Sequence, residues 1–176
     1  MALDTQLFYL FNDLAGQSPL FDGVIVFFAS PTAYIFIAVF LMWLLFSHYP
    51  RREKLYILLV VASSAVVARL GVTELIRLFY HRPRPFLDLP TTQLLTSNEW
   101  SFPSGHAAFF FAMATAVYLY NKKWGMGFFV AATLITVSRV IAGIHYPSDV
   151  IAGALIGTIV GYAVFVLWKK RAADII

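Results

Sequence analysis

Three histidines, an aspartate, four arginines and a Ser-Gly pair fall in three short polar clusters, each at the end of an apolar run. The first is Arg77-Leu78-Phe79-Tyr80-His81-Arg82-Pro83-Arg84-Pro85. Prolines at 83 and 85 disfavour helix for the residues before them, which predicts a helix ending near His81 and an extended segment carrying Arg82 and Arg84. Arginine stays charged, and its planar fork binds two phosphate oxygens at once. The plainer alternative is a basic patch touching lipid headgroups. The second cluster is Phe102-Pro103-Ser104-Gly105-His106. Ser104 is a good N-cap, and the helix it opens presents free amides and a positive dipole end beside Gly105 and His106. Such a terminus either binds an anion or is an ordinary cap with His106 as an interfacial polar residue. Gly105 lets the backbone approach a phosphate closely.

The third cluster joins Ser138-Arg139 to Gly143-Ile144-His145-Tyr146-Pro147-Ser148-Asp149. Pro147 suits the first position of a helix, which puts Asp149 in its first turn and His145 four residues away across the helix start. An aspartate there can hold one ring nitrogen and leave the other bare as a nucleophile. Arg139 lies in an apolar run, where an ionisable group is functional by default. The alternative is a structural Arg139–Asp149 ion pair with His145 as a bystander. Brought together, Arg77, Arg84, Ser104, Gly105, His106, Arg139, His145 and Asp149 meet the needs of phosphoryl transfer, which rests on positioning and on neutralising spread negative charge. In that arrangement His145 attacks phosphorus, giving a phosphohistidine. His106 protonates the leaving oxygen and then activates water. The nine acids are scattered, and the arginines would repel a metal, so no metal and no cofactor are expected.

The elements that must position these groups are membrane helices. The chain has 176 residues, 60% hydrophobic and 12% charged, and a mean hydropathy of +0.76, outside the range of soluble domains. The length fits one domain, residues 1–176. With no cysteine, disulfides and thiolate metal sites are excluded. The N-terminal residues lack a basic n-region and a small-residue cleavage site, so no cleaved signal peptide is expected. Residues 4–16 read as an interfacial amphipathic helix. Asp22 to Ala29 reads as a short helix, half-inserted or packed on its neighbours, broken by Ser30-Pro31. Five spans are expected at roughly 32–48, 54–79, 105–121, 124–143 and 148–168. The fold class is thus an all-α polytopic membrane helical bundle, residues 32–168, preceded by short interfacial helices over residues 1–30.

Arg51, Arg52, Lys54, Lys122, Lys123, Lys169, Lys170 and Arg171 fall on one side of a five-span bundle. The positive-inside rule makes that side cytoplasmic, with the three polar clusters outside and the C-terminus inside. The formal charge of +4 is therefore topological, and no nucleic-acid partner is expected. Residues 86–101 form the longest polar connection, either a lid or a plain connector. Arg69 is mid-span on one face with Thr73 and Arg77 and has no evident partner. Glu74 can pair with Arg77. Structural roles are expected for both.

Arg77-x6-Arg84-Pro85, Pro103-Ser104-Gly105-His106 and Ser138-Arg139-x5-His145-x3-Asp149 resemble the three motifs of the type-2 phosphatidic acid phosphatase superfamily. The second and third match in full. The first departs, because the family usually has lysine where this chain has Arg77. The resemblance implies a helical membrane phosphatase in which His145 corresponds to the nucleophile, Asp149 to its support and His106 to the general acid. Arg77, Arg84, Ser104, Gly105 and Arg139 correspond to the phosphate-binding groups. Family members often have six spans, and against that pattern this chain is expected to lack the first and to begin with surface helices. The Arg-Pro-Arg-Pro-Phe run and the N-terminal pattern look most like bacterial undecaprenyl-diphosphate phosphatases of the bacitracin-resistance type. That match implies carrier-lipid recycling for peptidoglycan synthesis in the bacterial cytoplasmic membrane, with a lipid diphosphate as partner. Phospholipid phosphatases acting on phosphatidylglycerophosphate, phosphatidate or lipid A share the motifs. Outside enzymes, a lipid-phosphate binding or transport protein would need the arginines but not both histidines.

Overall fold

In the computed structural model, which describes residues 3–173, the chain is an all-α bundle. Residues 1, 2 and 174–176 of the single-domain reading lie outside the described residues. Backbone groups in hydrocarbon have no water to bond, so apolar runs close their hydrogen bonds internally as helices. Two short helices come first, α1 (Leu3–Asn12) and α2 (Pro19–Ala29). After the Ser30-Pro31 break, α3 (Thr32–Phe46) continues α2 at a bend of 53°. Helix α4 (Arg51–Val66) runs through a π-helical stretch, Val67–Thr73, into α5 (Glu74–Phe79), making one rod of 29 residues. A single turn, α6 (Pro85–Asp88), is followed by α7 (Gly105–Tyr120), α8 (Lys122–Ile141) and α9 (Pro147–Ala173).

The rod, α8 and α9 are each long and apolar enough to cross a membrane, and the bent α2–α3 pair qualifies when taken as one span. The third expected span, α7, has 16 residues, a rise of about 24 Å, short of the roughly 30 Å of a hydrocarbon core. Helix α7 can be short because it is the axis of the bundle. Ala107, Ala108, Ala112, Ala114, Ala116 and Val117 are fully buried between α4, α8 and α9. The α5 helix stops at Phe79, somewhat before His81. Tyr80 is already extended (φ −129°, ψ 105°), and its ring packs edge-on against Phe102 at 5.2 Å.

Two packing devices set the bundle's geometry. In the main core, Phe36, Phe40 and Trp43 of α3 interlock with Phe110 of α7 and Phe128 of α8, and with Ile57 and Val61 of α4. On the face of α7 toward α9, Gly153, Gly157 and Gly161 of α9 form a stripe. Ideal Cβ atoms at these positions would lie 2.4 Å from Ser104 O, 2.4 Å from Ala108 O and 2.8 Å from Ala112 O. Small residues four apart are how membrane helices bring their backbones together. This stripe presses the start of α9 onto the start of α7.

The two N-terminal helices are docked on the bundle as well as preceding it. Phe8 is fully buried against Tyr146 and Val140, and Ala15 and Ile25 pack with Ile141 and Ala142. Arg51, Lys122 and Lys169 lie at the ends of their helices remote from Gly105, Ile141 and Pro147, so the basic residues and the polar clusters occupy opposite ends of the bundle.

Gly157→Ala is expected to destabilise the detergent-solubilised protein by about 1–3 kcal/mol through overpacking. Gly127→Ala, where nothing lies within 4 Å of the new methyl, is expected to be neutral or stabilising by up to ~1 kcal/mol. Thermal unfolding of the two variants measures the contrast.

Candidate active site

Four chain segments meet at the end opposite the basic residues: the extended 80–84 segment after α5, the start of α7, the end of α8 and the start of α9. His145 lies in the turn between α8 and α9 and is 1% exposed. Its Nδ1 is 3.6 Å from Asp149 Oδ2, in ion-pair range but beyond a direct hydrogen bond. Its Nε2 is 3.4 Å from Arg84 Nη1. Burial pulls the imidazole's pKa down to about 4, against the opposing pull of Asp149 and with help from Arg139 and Arg84, so the ring is unprotonated at neutral pH.

Asp149 is fully buried and well satisfied. Its Oδ2 accepts from Ser101 Oγ at 2.5 Å and from the Tyr146 amide at 2.8 Å, and its Oδ1 accepts from Arg82 Nη1 at 2.7 Å. Its backbone carbonyl accepts from the Ser104 amide at 3.0 Å, which ties the first turn of α9 to the N-cap of α7. The alternative Arg139–Asp149 pair is not formed. Arg82 takes the carboxylate, and Arg139 donates to Ala29 O at 2.7 Å, the free carbonyl at the end of α2.

Arg84 is held by backbone carbonyls: Nε donates to Glu99 O at 2.7 Å and Nη1 to Ile144 O at 2.6 Å. Burial, reinforced by Arg77, lowers its pKa to about 10, which leaves it charged at neutral pH. Arg77, 4% exposed, donates to Glu74 at 3.1 Å, to Glu99 at 2.7 Å and to Pro103 O at 3.1 Å. After these contacts Arg77 Nε, Arg139 Nε and His145 Nδ1 remain buried without a hydrogen-bond partner among the described residues. Unpaired buried donors are costly, and two of them belong to guanidinium groups suited to phosphate oxygens.

Ser104 caps α7 as expected, its Oγ accepting from the Ala107 amide at 3.4 Å. An ideal Cβ on Gly105 would lie 2.4 Å from Arg69 Nε, so the position admits only glycine while Arg69 stays in place. His106 is half-buried. With Arg69 and Gly105 it forms the polar side of a cavity of about 230 Å³, whose apolar walls are Tyr34, Ile37, Phe109 and Phe110.

The family model described as the PAP2 superfamily matches residues 53–173, which contain all three motifs. The chain belongs to the PAP2 superfamily. It is similar to the bacitracin transport permease protein BcrC of Bacillus licheniformis, with 32% identity over 94% of this chain and 80% of the relative. It is also 32% identical to the undecaprenyl-diphosphatase of Sulfolobus acidocaldarius, over 92% of this chain and 77% of the relative. The crystal structure of Aquifex aeolicus LpxE superposes with a TM-score of 0.75 at 31% identity, covering 93% of this chain and 95% of that one. As a PAP2 member with membrane-spanning helices, the protein is an integral-membrane lipid phosphatase, a hydrolase acting on lipid phosphates.

Several polar residues around this PAP2 site carried no signal in the sequence. Ser101 supports Asp149 directly. Asp4 in α1 accepts from Arg82 at 2.6 Å and from the Ser148 hydroxyl at 2.5 Å. Arg69 finds both Glu74 and Glu99 as partners. The π turn explains the first of these, because i→i+5 geometry stacks residues five apart that an α-helix would separate. The 86–101 segment is a fastened connector: Thr92 is pinned by Asn12, Leu94 by Ala142 O, and Glu99 to Ser101 by the arginines and Asp149.

Burial raises the Glu99 carboxyl, but its hydrogen bond to Arg77 and the charges of Arg69, Arg77 and Arg84 outweigh this and hold it below its ordinary 4.5. Because the folded value is lowered, the clasp's contribution is complete above pH 4.5 and is lost as pH falls through that lowered value. Ser101→Ala is expected to cost about 1.5–3 kcal/mol by removing a hydrogen bond to a buried charge, read from thermal unfolding at neutral pH.

Proposed function

We propose that this protein removes the terminal phosphate of a polyprenyl diphosphate, converting undecaprenyl diphosphate to undecaprenyl phosphate for carrier-lipid recycling in bacterial cell-wall synthesis and bacitracin resistance. The observation that carries the catalytic part is the pair of environments around His145. One ring nitrogen faces Asp149 and the other faces the Arg84 guanidinium. A carboxylate that orients one nitrogen leaves the other free to attack, and a cation beside the attacking atom neutralises the incoming phosphate. The partnerless Nε groups of Arg77 and Arg139 are donors for the remaining oxygens, and the Ser104 and Gly105 start of α7 supplies the helix terminus.

His145 Nε2 bonds to the terminal phosphorus as the bond to the bridging oxygen breaks, giving a phosphohistidine. The half-buried His106 gives the leaving oxygen its proton and then takes one from the water that hydrolyses the intermediate. Arg77, Arg84 and Arg139 offset charge on the oxygens throughout. This proposal routes no step through a metal. Polyprenyl diphosphate as substrate is supported by the name of the Sulfolobus acidocaldarius relative. An extracytoplasmic site with a cytoplasmic C-terminus is supported by the basic residues at the far end of the bundle.

His145→Ala is expected to abolish phosphate release and any acid-labile phosphoenzyme, and unchanged release would refute the assigned nucleophile. His106→Ala is expected to slow turnover by about 10²–10⁴-fold. Chelator is expected to leave the rate unchanged, and loss that added metal restores would refute metal independence. A phosphate-release panel over polyprenyl diphosphate, phosphatidylglycerophosphate and phosphatidate ranks the substrates, with the diphosphate expected first.

A further inference from the structure

In the proposed reaction the leaving group departs on the side of His106, where the cavity of about 230 Å³ opens. Beside His106, its wall carries the charged side chain of Arg69, from the π-helical stretch. Arg69 lies directly against the Gly105 backbone, next to both the phosphate cradle and the proton donor. A charge at mid-span requires a function or a partner, and Arg69 already grips an anion. Its Nη2 donates to both Glu99 carboxylate oxygens at 2.9 Å, while Arg77 Nη1 donates to one of them at 2.7 Å. Carboxylate and phosphate present oxygens of like charge to the same guanidinium fork.

Glu99 is suited to give way. Its side chain is 55% exposed. Its backbone is held separately, through its carbonyl to Arg84 Nε, so the carboxylate can turn aside without moving the loop. Glu74 then still pairs with Arg69 and Arg77 and keeps both in place.

We propose that Arg69, with Arg77, forms a second anion subsite that takes the non-scissile phosphate of a diphosphate lipid, and that the Glu99 carboxylate fills this subsite until the substrate displaces it. This rests on the phosphatase reading, in which the bond between the terminal phosphorus and the bridging oxygen breaks. The electron pair stays on the bridging oxygen, which takes its proton from His106, and the product is a lipid monophosphate beside Arg69. The leaving group of a phosphomonoester is an alcohol, which puts no second phosphate in this subsite. Arg69 is therefore a specificity-determining residue, favouring diphosphates over monophosphates.

Calorimetric titration of the full-length protein in detergent with methylenediphosphonate and with methylphosphonate tests this without turnover. The wild type is expected to bind the diphosphonate more tightly. Arg69→Gln is expected to weaken diphosphonate binding about tenfold, the loss of a charge-assisted contact, with methylphosphonate binding unchanged. Glu99→Gln is expected to tighten diphosphonate binding several-fold and leave methylphosphonate unchanged. Equal weakening of both ligands by Arg69→Gln, or no tightening by Glu99→Gln, would overturn the subsite while leaving the primary phosphate site standing. Failure of the wild type to bind either phosphonate would overturn both.

Discussion

Guanidinium charge cannot be left unmatched in a low-dielectric interior, and the site end of this bundle holds Arg69, Arg77, Arg82, Arg84 and Arg139 together. The surrounding chain is organised to match them. Backbone carbonyls of Ile144, Glu99, Pro103 and Ala29 accept from three of these arginines, and the carboxylates of Asp4, Glu74, Glu99 and Asp149 accept from three. Carbonyls at loops and helix ends are available for this because no intrahelical donor uses them. The matching is incomplete at Arg77 Nε and Arg139 Nε, and these are the donors an incoming phosphate can satisfy.

Helix packing decides where that charge sits. The α9 glycines let the start of α9 lie on the start of α7, so Asp149 bonds the Ser104 amide and the third motif is joined to the second through backbone. The shortness of α7 follows from its position as a buried axis, which needs alanine and glycine contacts more than lipid-facing length. Helix α1 then closes the side of the site, with Phe8 against Tyr146 and Asp4 on Arg82 and Ser148. Arg82 in turn stacks 3.8 Å over the Tyr146 ring, so one arginine links the N-terminal helix, the first motif and the third.

The all-helical bundle was legible in the apolar runs, and the polar clusters at their ends were legible from residue type and spacing. The i,i+4 relation of His145 to Asp149 across a proline-started helix was local geometry, and the two side chains lie 3.6 Å apart. Contacts that bridge distant segments were not legible. Nothing in Glu99 or Asp4 marks their side chains as partners of arginines 22 to 78 residues away, or Ser101 as the partner of Asp149 48 residues on, because such pairings depend on how loops cross the bundle end. The π stretch was hidden for a different reason. An α-helical period separates Arg69 from Glu74, and a one-residue slip that restores their contact leaves no mark in composition. The bend at Ser30-Pro31 was visible, but the joining of α2 and α3 into one broken span depends on packing against α8.

The most direct test of the site is a structure of the protein with a tetrahedral oxyanion such as tungstate or vanadate. The oxyanion is expected against His145 Nε2, within hydrogen-bond distance of the Arg77, Arg84 and Arg139 guanidinium groups and the amides at the start of α7. An oxyanion bound elsewhere in the bundle, or seated here but turned away from His145, would contradict it.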